Sequence, residues 1–336
     1  MSAVPERILI IRLKSIGDVL LTLPAVHAVR ENFPSARITF LTSKENAVLL
    51  QGFKDVDEIL PLDRAGLRTG NPVKIVSEMV KLFQRLRTGK FSLVVDFQGY
   101  GETAWITYLT RARQRWGSLY STGRKWAYTR GIPRNNDIQV ADFYCSLLEQ
   151  CGLKIGPLQN SFILPLEPLA GARDYFSKNR LDPRQPVLFI QALTSSPFKN
   201  WPLDHYLALA AHFRGKGVQI LFGGGPKDVA ALQPARTAGF VVATDVPLLV
   251  AAGLVQLSTV VIGGATGLLH IAVAMQKRVI MIVGKNRKET GLPFQHLDWV
   301  LRPDDSNDLA TLPLETVLAA CTDALAGTAP ENSPRS

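Results

Sequence analysis

Four short stretches combine residue types that could do chemistry with the look of a loop between a strand and a helix. In the stretch from Arg12 to Pro24, Gly17 permits close approach or an unusual backbone angle, and Asp18 falls at a helix start with its carboxylate directed toward a cleft. From position alone, the same acid reads more readily as an N-cap or first-turn residue that complements the helix dipole. In Gln191–Pro202, the hydroxyls of Thr194 and Ser195 can donate hydrogen bonds and Lys199 supplies a compact positive charge, a set that suits a diphosphate. A solvated surface cation is the alternative for Lys199. In Ile262–His270, a Gly-Gly turn leads into a helix whose free N–H groups and positive dipole end suit a phosphate, with Thr266 and His270 one turn apart on one face. A lone histidine beside an apolar helix is otherwise a satisfied core residue. The fourth stretch, Val94–Gly99, ends a buried strand. There Gln98 could cap the next helix and Asp96 could hold the loop through backbone hydrogen bonds.

The elements that would position these residues alternate between strand and helix. Strands are predicted at 7–13, 37–41, 57–60 and 92–96, with helices at 17–30 and 73–87, the pattern of a parallel sheet wrapped by helices. Gly, Pro and Asn loosen the pattern between 152 and 170, which reads as a linker. The alternation then restarts, with strands at 186–191, 218–222, 260–263 and 279–283 and helices at 203–214, 228–237 and 267–275. A terminal helix is predicted at 314–325, followed by a polar tail. Open α/β sheets place ligands at strand C-terminal ends, so the four loops are where function belongs.

The totals bound the classes. A chain of 336 residues favours two domains, and 46% hydrophobic with 20% charged residues excludes a disordered chain. Three cysteines without a C-x-x-C pair argue against a disulfide framework. The apolar run Ile8–Ile11 is too short for a secretory leader, and no stretch approaches the ~20 apolar residues of a membrane span, so a cytosolic protein is expected. The charge, 38 basic minus 28 acidic residues, is +10, which nucleic acid, an anionic membrane or a phosphorylated substrate could exploit. Cations and aromatics interleave in Arg111–Trp116 and Gly123–Arg130, but no zinc finger, RRM or KH signature supports nucleic-acid binding. The D-x-D at Asp55 and Asp57 lies in a charged stretch before an edge strand, so no metal site is expected. Gly223-Gly224-Gly225-Pro226 lacks the third glycine of a dinucleotide fingerprint, which disfavours a nicotinamide enzyme.

The stretch Ser15-x-Gly17-Asp18-Val19-Leu20-x-Thr22-x-Pro24 resembles the opening motif of the lipopolysaccharide core heptosyltransferases, glycosyltransferase family 9. Asp96-x-Gln98-Gly99, Lys199-x-Trp201-Pro202 after two hydroxyl residues, and Thr266-Gly267-x-x-His270 resemble further segments of that family. The resemblance implies a GT-B architecture, two Rossmann-like domains facing a cleft: an acceptor domain at 1–165, a nucleotide-sugar domain at 170–312, a helix at 313–326 crossing back to the first domain and a flexible tail at 327–336. It implies an inverting, metal-independent transfer from ADP-heptose with no cofactor, Asp18 as general base and Lys199 stabilising the leaving nucleotide. Ser15, Gly17, Thr194, Ser195, Gly224, Asp228, Thr266, Gly267 and His270 are then expected on the donor, and Gln98, Arg124 and Lys125 on a phosphorylated lipid A–core acceptor. Arg111, Arg113 and Arg115 are grouped with the acceptor side by charge, and peripheral contact with the cytoplasmic face of the inner membrane is expected. The chain departs from the family in carrying Ala265 where an acid is usual, and Gly284-Lys285-Asn286-Arg287-Lys288 where Gly-Pro-Thr is usual. A more electropositive donor side follows. The alternative is a non-catalytic or altered-donor protein on the same scaffold.

Overall fold

The structure, a computed structural model, describes residues 5–327. The expected flexible tail falls, apart from Gly327, outside the described residues. The chain divides into two units, Met1–Ile163 and Leu164–Ser336, close to the expected boundary.

The first unit carries a six-stranded parallel sheet of β1 (Arg7–Ile11), β2 (Arg37–Ser43), β3 (Glu58–Leu62), β4 (Leu93–Asp96), β5 (Gln114–Leu119) and β6 (Arg130–Pro133), in the order β3-β2-β1-β4-β5-β6. β1 is buried from Ile8 to Ile11, as a strand covered by helices on both faces must be. Its register, Ile8 opposite Ile38 and Leu93, sets apolar side chains beside apolar ones on both flanks. The helix expected at 17–30 is two helices, Ile16–Leu20 and Leu23–Asn32. Pro24 has no N–H to offer the preceding turn, so the first helix ends and the second starts with proline in its first turn.

The second unit repeats the plan with β7 (Val187–Gln191), β8 (Gln219–Gly223), β9 (Val241–Ala243), β10 (Val260–Gly264), β11 (Arg278–Ile282) and β12 (Val300–Leu301), in the order β12-β11-β10-β7-β8-β9. Alternation along β7 splits its core: Leu188 and Ile190 join the cluster on one face, Val187 and Phe189 that on the other. The terminal helix, Leu314–Gly327, packs within the second unit. Val317, Cys321 and Ala324 are buried in the core of the second unit, and the helix packs on Leu203–Gly215, β10 and β11. Its apolar positions three and four apart form one stripe, which that sheet face consumes. The expected linker is shorter than predicted, because a helix already starts at Leu166.

In both sheets the strand order reverses once, between β1 and β4 and between β7 and β10. Loops leaving these pairs diverge to opposite sides, which opens a crevice at the strand C-terminal ends. All four chemically suggestive stretches follow one of these four strands.

Candidate functional sites at the two strand-order reversals

In the first unit the crevice is lined by the loop after β1. Arg12 is buried, and its Nη2 lies 2.8 Å from Asp18 Oδ2 while its Nη1 donates to the Phe97 carbonyl at 3.2 Å. Ser15 donates to the same Oδ2 from its backbone N at 3.0 Å and from Oγ at 3.2 Å. Three donors thus converge on one carboxylate oxygen, and Oδ1 accepts no hydrogen bond among the described residues. Burial pushes the Asp18 carboxyl up, but the Arg12 charge and the hydrogen bonds from Ser15 and Arg12 outweigh it, so the group sits below the ordinary carboxylate range. Burial also opposes the Arg12 charge, and the neighbouring Tyr144 and Asp18 more than restore it. The result is an anion held in place by one oxygen with the other oxygen available. No role is expected of Arg12 from the sequence motif; its signal is a cation immediately after the apolar run Ile8–Ile11, where only a paired charge is tolerated.

The loop after β4 braces this arrangement. Gln98 is fully buried, and its Oε1 accepts from the backbone N–H groups of Leu13 (2.9 Å) and Lys14 (3.4 Å). With no exposed surface, Gln98 positions through Oε1 the loop that carries Asp18. Asn46 assists by donating to the Leu13 carbonyl at 3.0 Å. Asp96 accepts from the N–H groups of Gln98 and Gly99 and from the Tyr128 hydroxyl at 2.7 Å. Burial raises its carboxyl above the usual range despite these donors. Gly99 has φ +68, and a Cβ there would stand 1.9 Å from the Ser118 carbonyl, so no other residue fits this turn. Arg124 donates to the Gly99 carbonyl at 2.9 Å and stays part-exposed, and Lys125 is exposed beside it.

The grouped arginines separate. Arg113 lies at the start of β5, the opposite end of the sheet from Arg124, and Arg115 spends its guanidinium on the Ala127 and Ala112 carbonyls at 2.8 and 2.7 Å. Asp55 and Asp57 are held by His27 (2.9 Å) and Arg30 (2.6 Å), so the D-x-D is a structural pair of acids.

In the second unit, Lys199 and Ala265 line one pocket of about 330 Å³ at the ends of β10 and β11, with Phe198, Gly284, Asn286 and Arg287. Its size is at the lower end of the ~300–1,000 Å³ typical of small-ligand sites. Two glycines bring its walls together. A Cβ at Gly263 would meet the Gln191 carbonyl at 2.4 Å, and one at Gly264 would meet Thr194 Cγ2 at 2.5 Å and the Lys199 carbonyl at 2.9 Å. The loop after β7 is pinned from behind by fully buried Trp201, whose Nε1 donates to the Leu312 carbonyl at 3.1 Å. Lys199 and Ser195 are exposed on this rigid loop. Thr194 helps to build the loop: its hydroxyl donates to the Ser196 carbonyl at 2.9 Å and its N–H to Asn200 Oδ1 at 2.8 Å.

Thr266 caps the helix Gly267–Ala274, its hydroxyl accepting from the Leu269 N–H at 3.4 Å. Gly267 opens that helix with its unbonded N–H groups, and His270 lies one turn on, its N–H donating to the Thr266 carbonyl. Gly224 and Asp228 follow β8. Asp228 accepts from the Gly225 N–H at 2.7 Å in a capping arrangement, and neither residue is part of the pocket wall. Of the unusual cations, Lys285 is paired to Asp305 at 2.8 Å, which offsets its charge, while Arg287 faces the pocket. The Gly284, Lys285 and Arg287 carbonyls are gathered by Arg302 Nη1 at 3.3, 2.8 and 2.8 Å. Arg302 and Asn307 were not foreseen, because their distance in sequence from the pocket hides their role.

The chain shares its family and fold with known proteins. The sequence model of glycosyltransferase family 9 (heptosyltransferase) matches residues 79–312. Lipopolysaccharide heptosyltransferase 3 of Escherichia coli K12 is 23% identical over 283 residues, covering 80% of this chain and 79% of its own. A family 9 glycosyl transferase structure from Veillonella parvula has a TM-score of 0.87 at 20% identity, covering 96% of this chain and 97% of its own. The structure of E. coli heptosyltransferase WaaC with ADP has a TM-score of 0.77 at 20% identity, covering 95% and 99%.

Proposed function

Because this chain belongs to glycosyltransferase family 9, the heptosyltransferases, we propose that it transfers heptose from ADP-heptose to the inner core of a lipopolysaccharide acceptor, with inversion at the anomeric carbon. The observation that carries this reading is the Asp18 carboxylate, kept ionised by Arg12 and Ser15 through Oδ2 with Oδ1 left available. Oδ1 takes the proton of the acceptor hydroxyl as that oxygen bonds to the anomeric carbon. The bond from that carbon to the diphosphate oxygen breaks, and its electron pair leaves with ADP. Lys199, Ser195, the Thr266 hydroxyl and the N–H groups at Gly267 meet the charge that develops there. Such preorganised donors act without reorganising at the moment of reaction. A depressed pKa makes Asp18 a weak base, which suffices when the hydroxyl acidifies only as its bond to carbon forms.

Arg124 and Lys125 are proposed to face the phosphorylated acceptor. No helix among the described residues is long and apolar enough to cross a membrane, and the proposed contact with the cytoplasmic face of the inner membrane is peripheral. Ala265 and Arg287 on the pocket wall favour a second reading, a nucleotide sugar with more negative charge near its diphosphate.

Calorimetric titration with ADP, UDP and GDP, with and without Mg²⁺, tests the donor. ADP preferred, with equal affinity in the presence of a chelator, is expected; preference for another nucleotide sinks the ADP-heptose assignment. Asp18→Asn is expected to retain ADP binding while turnover falls about 10²–10⁴-fold. Unchanged turnover would remove Asp18 from the chemistry.

A further inference from the structure

The first unit carries an apolar face that neither its core nor its candidate site uses. The helix Pro72–Thr88 buries Leu82 and Leu86 in the core, the stripe a surface helix needs. Val73, Val76, Met79, Val80 and Phe83 are nonetheless exposed, Val73 by 77% and Val76 by 62%. At ~1.5 Å per residue this strip runs about 15 Å along the helix. Beside it, the helix Gly101–Leu109 presents Trp105, 58% exposed, and Tyr108, and Trp126 completes a cluster with ring centroids 4.6 to 6.3 Å apart. Trp105 and the first helix line one open groove of about 660 Å³ in which Glu102 is the sole polar wall residue among those described, and Glu102 is paired with Arg64 at 2.8 Å.

Cations border this face. Arg87 lies over the Phe83 ring at 6.0 Å, Arg115 over the Tyr108 ring at 6.0 Å, and exposed Lys125 adjoins Trp126 in the chain. Exposed apolar patches of this extent mark interaction sites. Aromatic rings with polar edges, an apolar helix face and bordering cations together match the boundary between lipid headgroups and acyl chains. A second copy of this +10 chain would bring the same cations against one another.

We propose that this face docks the first unit on an anionic bilayer, the side chains from Val73 to Phe83 and Trp105 entering the headgroup–acyl boundary and Arg87 and Lys125 meeting lipid phosphates. Val73 lies beyond the groove wall and Val76, on that wall, is still 62% exposed, which suits a surface that covers the whole strip more than one chain lying in the groove. The inference rests on the reading that the acceptor is lipid-borne and names the surface that reaches it.

The test is co-sedimentation of the full chain with phosphatidylglycerol vesicles and with phosphatidylcholine vesicles, with neither donor nor acceptor present. Binding to phosphatidylglycerol that weakens with salt, with a blue shift of tryptophan emission, is expected. Val76→Asp with Phe83→Asp should weaken it about tenfold or more, with an unchanged melting temperature and unchanged ADP affinity. Trp105→Ser, at a separate exposed position, should weaken binding and reduce the blue shift. Wild-type chain left in the supernatant, or variants that sediment like wild type, would overturn the proposal. A dimer in ultracentrifugation that the double substitution dissolves would also overturn it, assigning the face to a second copy. Loss of vesicle binding with ADP affinity intact leaves the donor reading standing. Vesicle binding without ADP affinity removes the donor reading alone.

Discussion

At the scale of residues, the arrangement around Asp18 turns on one buried cation. Arg12 lowers the Asp18 pKa, so Arg12→Met raises it, and at a given acidic pH less of the base is ionised. The acidic limb of the kcat/KM profile is expected to move to higher pH. A limb that stays in place would show that Asp18 does not titrate in the reaction. The linkage has the same direction: a depressed native carboxyl contributes stability above its unfolded value, which is lost as pH falls through the native one. Gln98 acts at one remove. Gln98→Leu leaves the buried Leu13 N–H without an acceptor, at a cost of about 1–3 kcal/mol, and removes the longer bond to the part-buried Lys14 N–H. A lower melting temperature and lower turnover are expected with ADP affinity unchanged, whereas altered acceptor KM alone would restore Gln98 to the acceptor. Asp18 and Lys199 could be singled out from the motif alone, but the partners that set their chemistry lie as far away as Phe97 and Leu312, which only the folded chain brings near.

At the scale of elements, two glycines at the end of β10 decide how near the loop after β7 can lie. Gly264→Val would drive its side chain into Thr194 and the Lys199 carbonyl, and the expected shift of the loop lowers ADP affinity about tenfold or more. Gly225→Ala is the control. Its Cβ would meet only Asp228 Oδ2, at 3.7 Å, and ADP affinity should change by less than about threefold. Equal affinities for the two variants would argue that the pocket does not bind nucleotide. The strands next to the reversals were legible because they are apolar runs covered on both faces. β5 and β6 were not, since their arginines and glycines read as a basic loop, and the helix Leu248–Leu257 is apolar on nearly all sides and shows no helical contrast.

At the scale of the molecule, each unit closes its own core, and the cysteines report on that closure. Burial pushes the thiols of Cys145, Cys151 and Cys321 up to about 12, about 11 and about 12. A thiol reagent at mildly alkaline pH is expected to label none of them in the native chain and all three in denaturant, read by mass spectrometry. Labelling of Cys321 under native conditions would mean that the terminal helix, placed here in the second core, opens readily.

The amino-acid sequence by itself determined the class of fold, the division near residue 165 and four loops at the ends of the strands beside the reversals, because apolar periodicity and strand-end glycines are local properties of the chain. The tertiary structure decided which loop residues are free to act. It gave Gln98, Thr194 and Asp228 hydrogen bonds that hold their own loops and brought Arg287 to the pocket. It gave the terminal helix to the second core and left the face from Val73 to Phe83 uncovered. The reason is physical: whether a polar atom meets a ligand depends on whether a backbone group far off in sequence has already claimed it. Whether an apolar side chain is core or surface depends on what is left to pack against it.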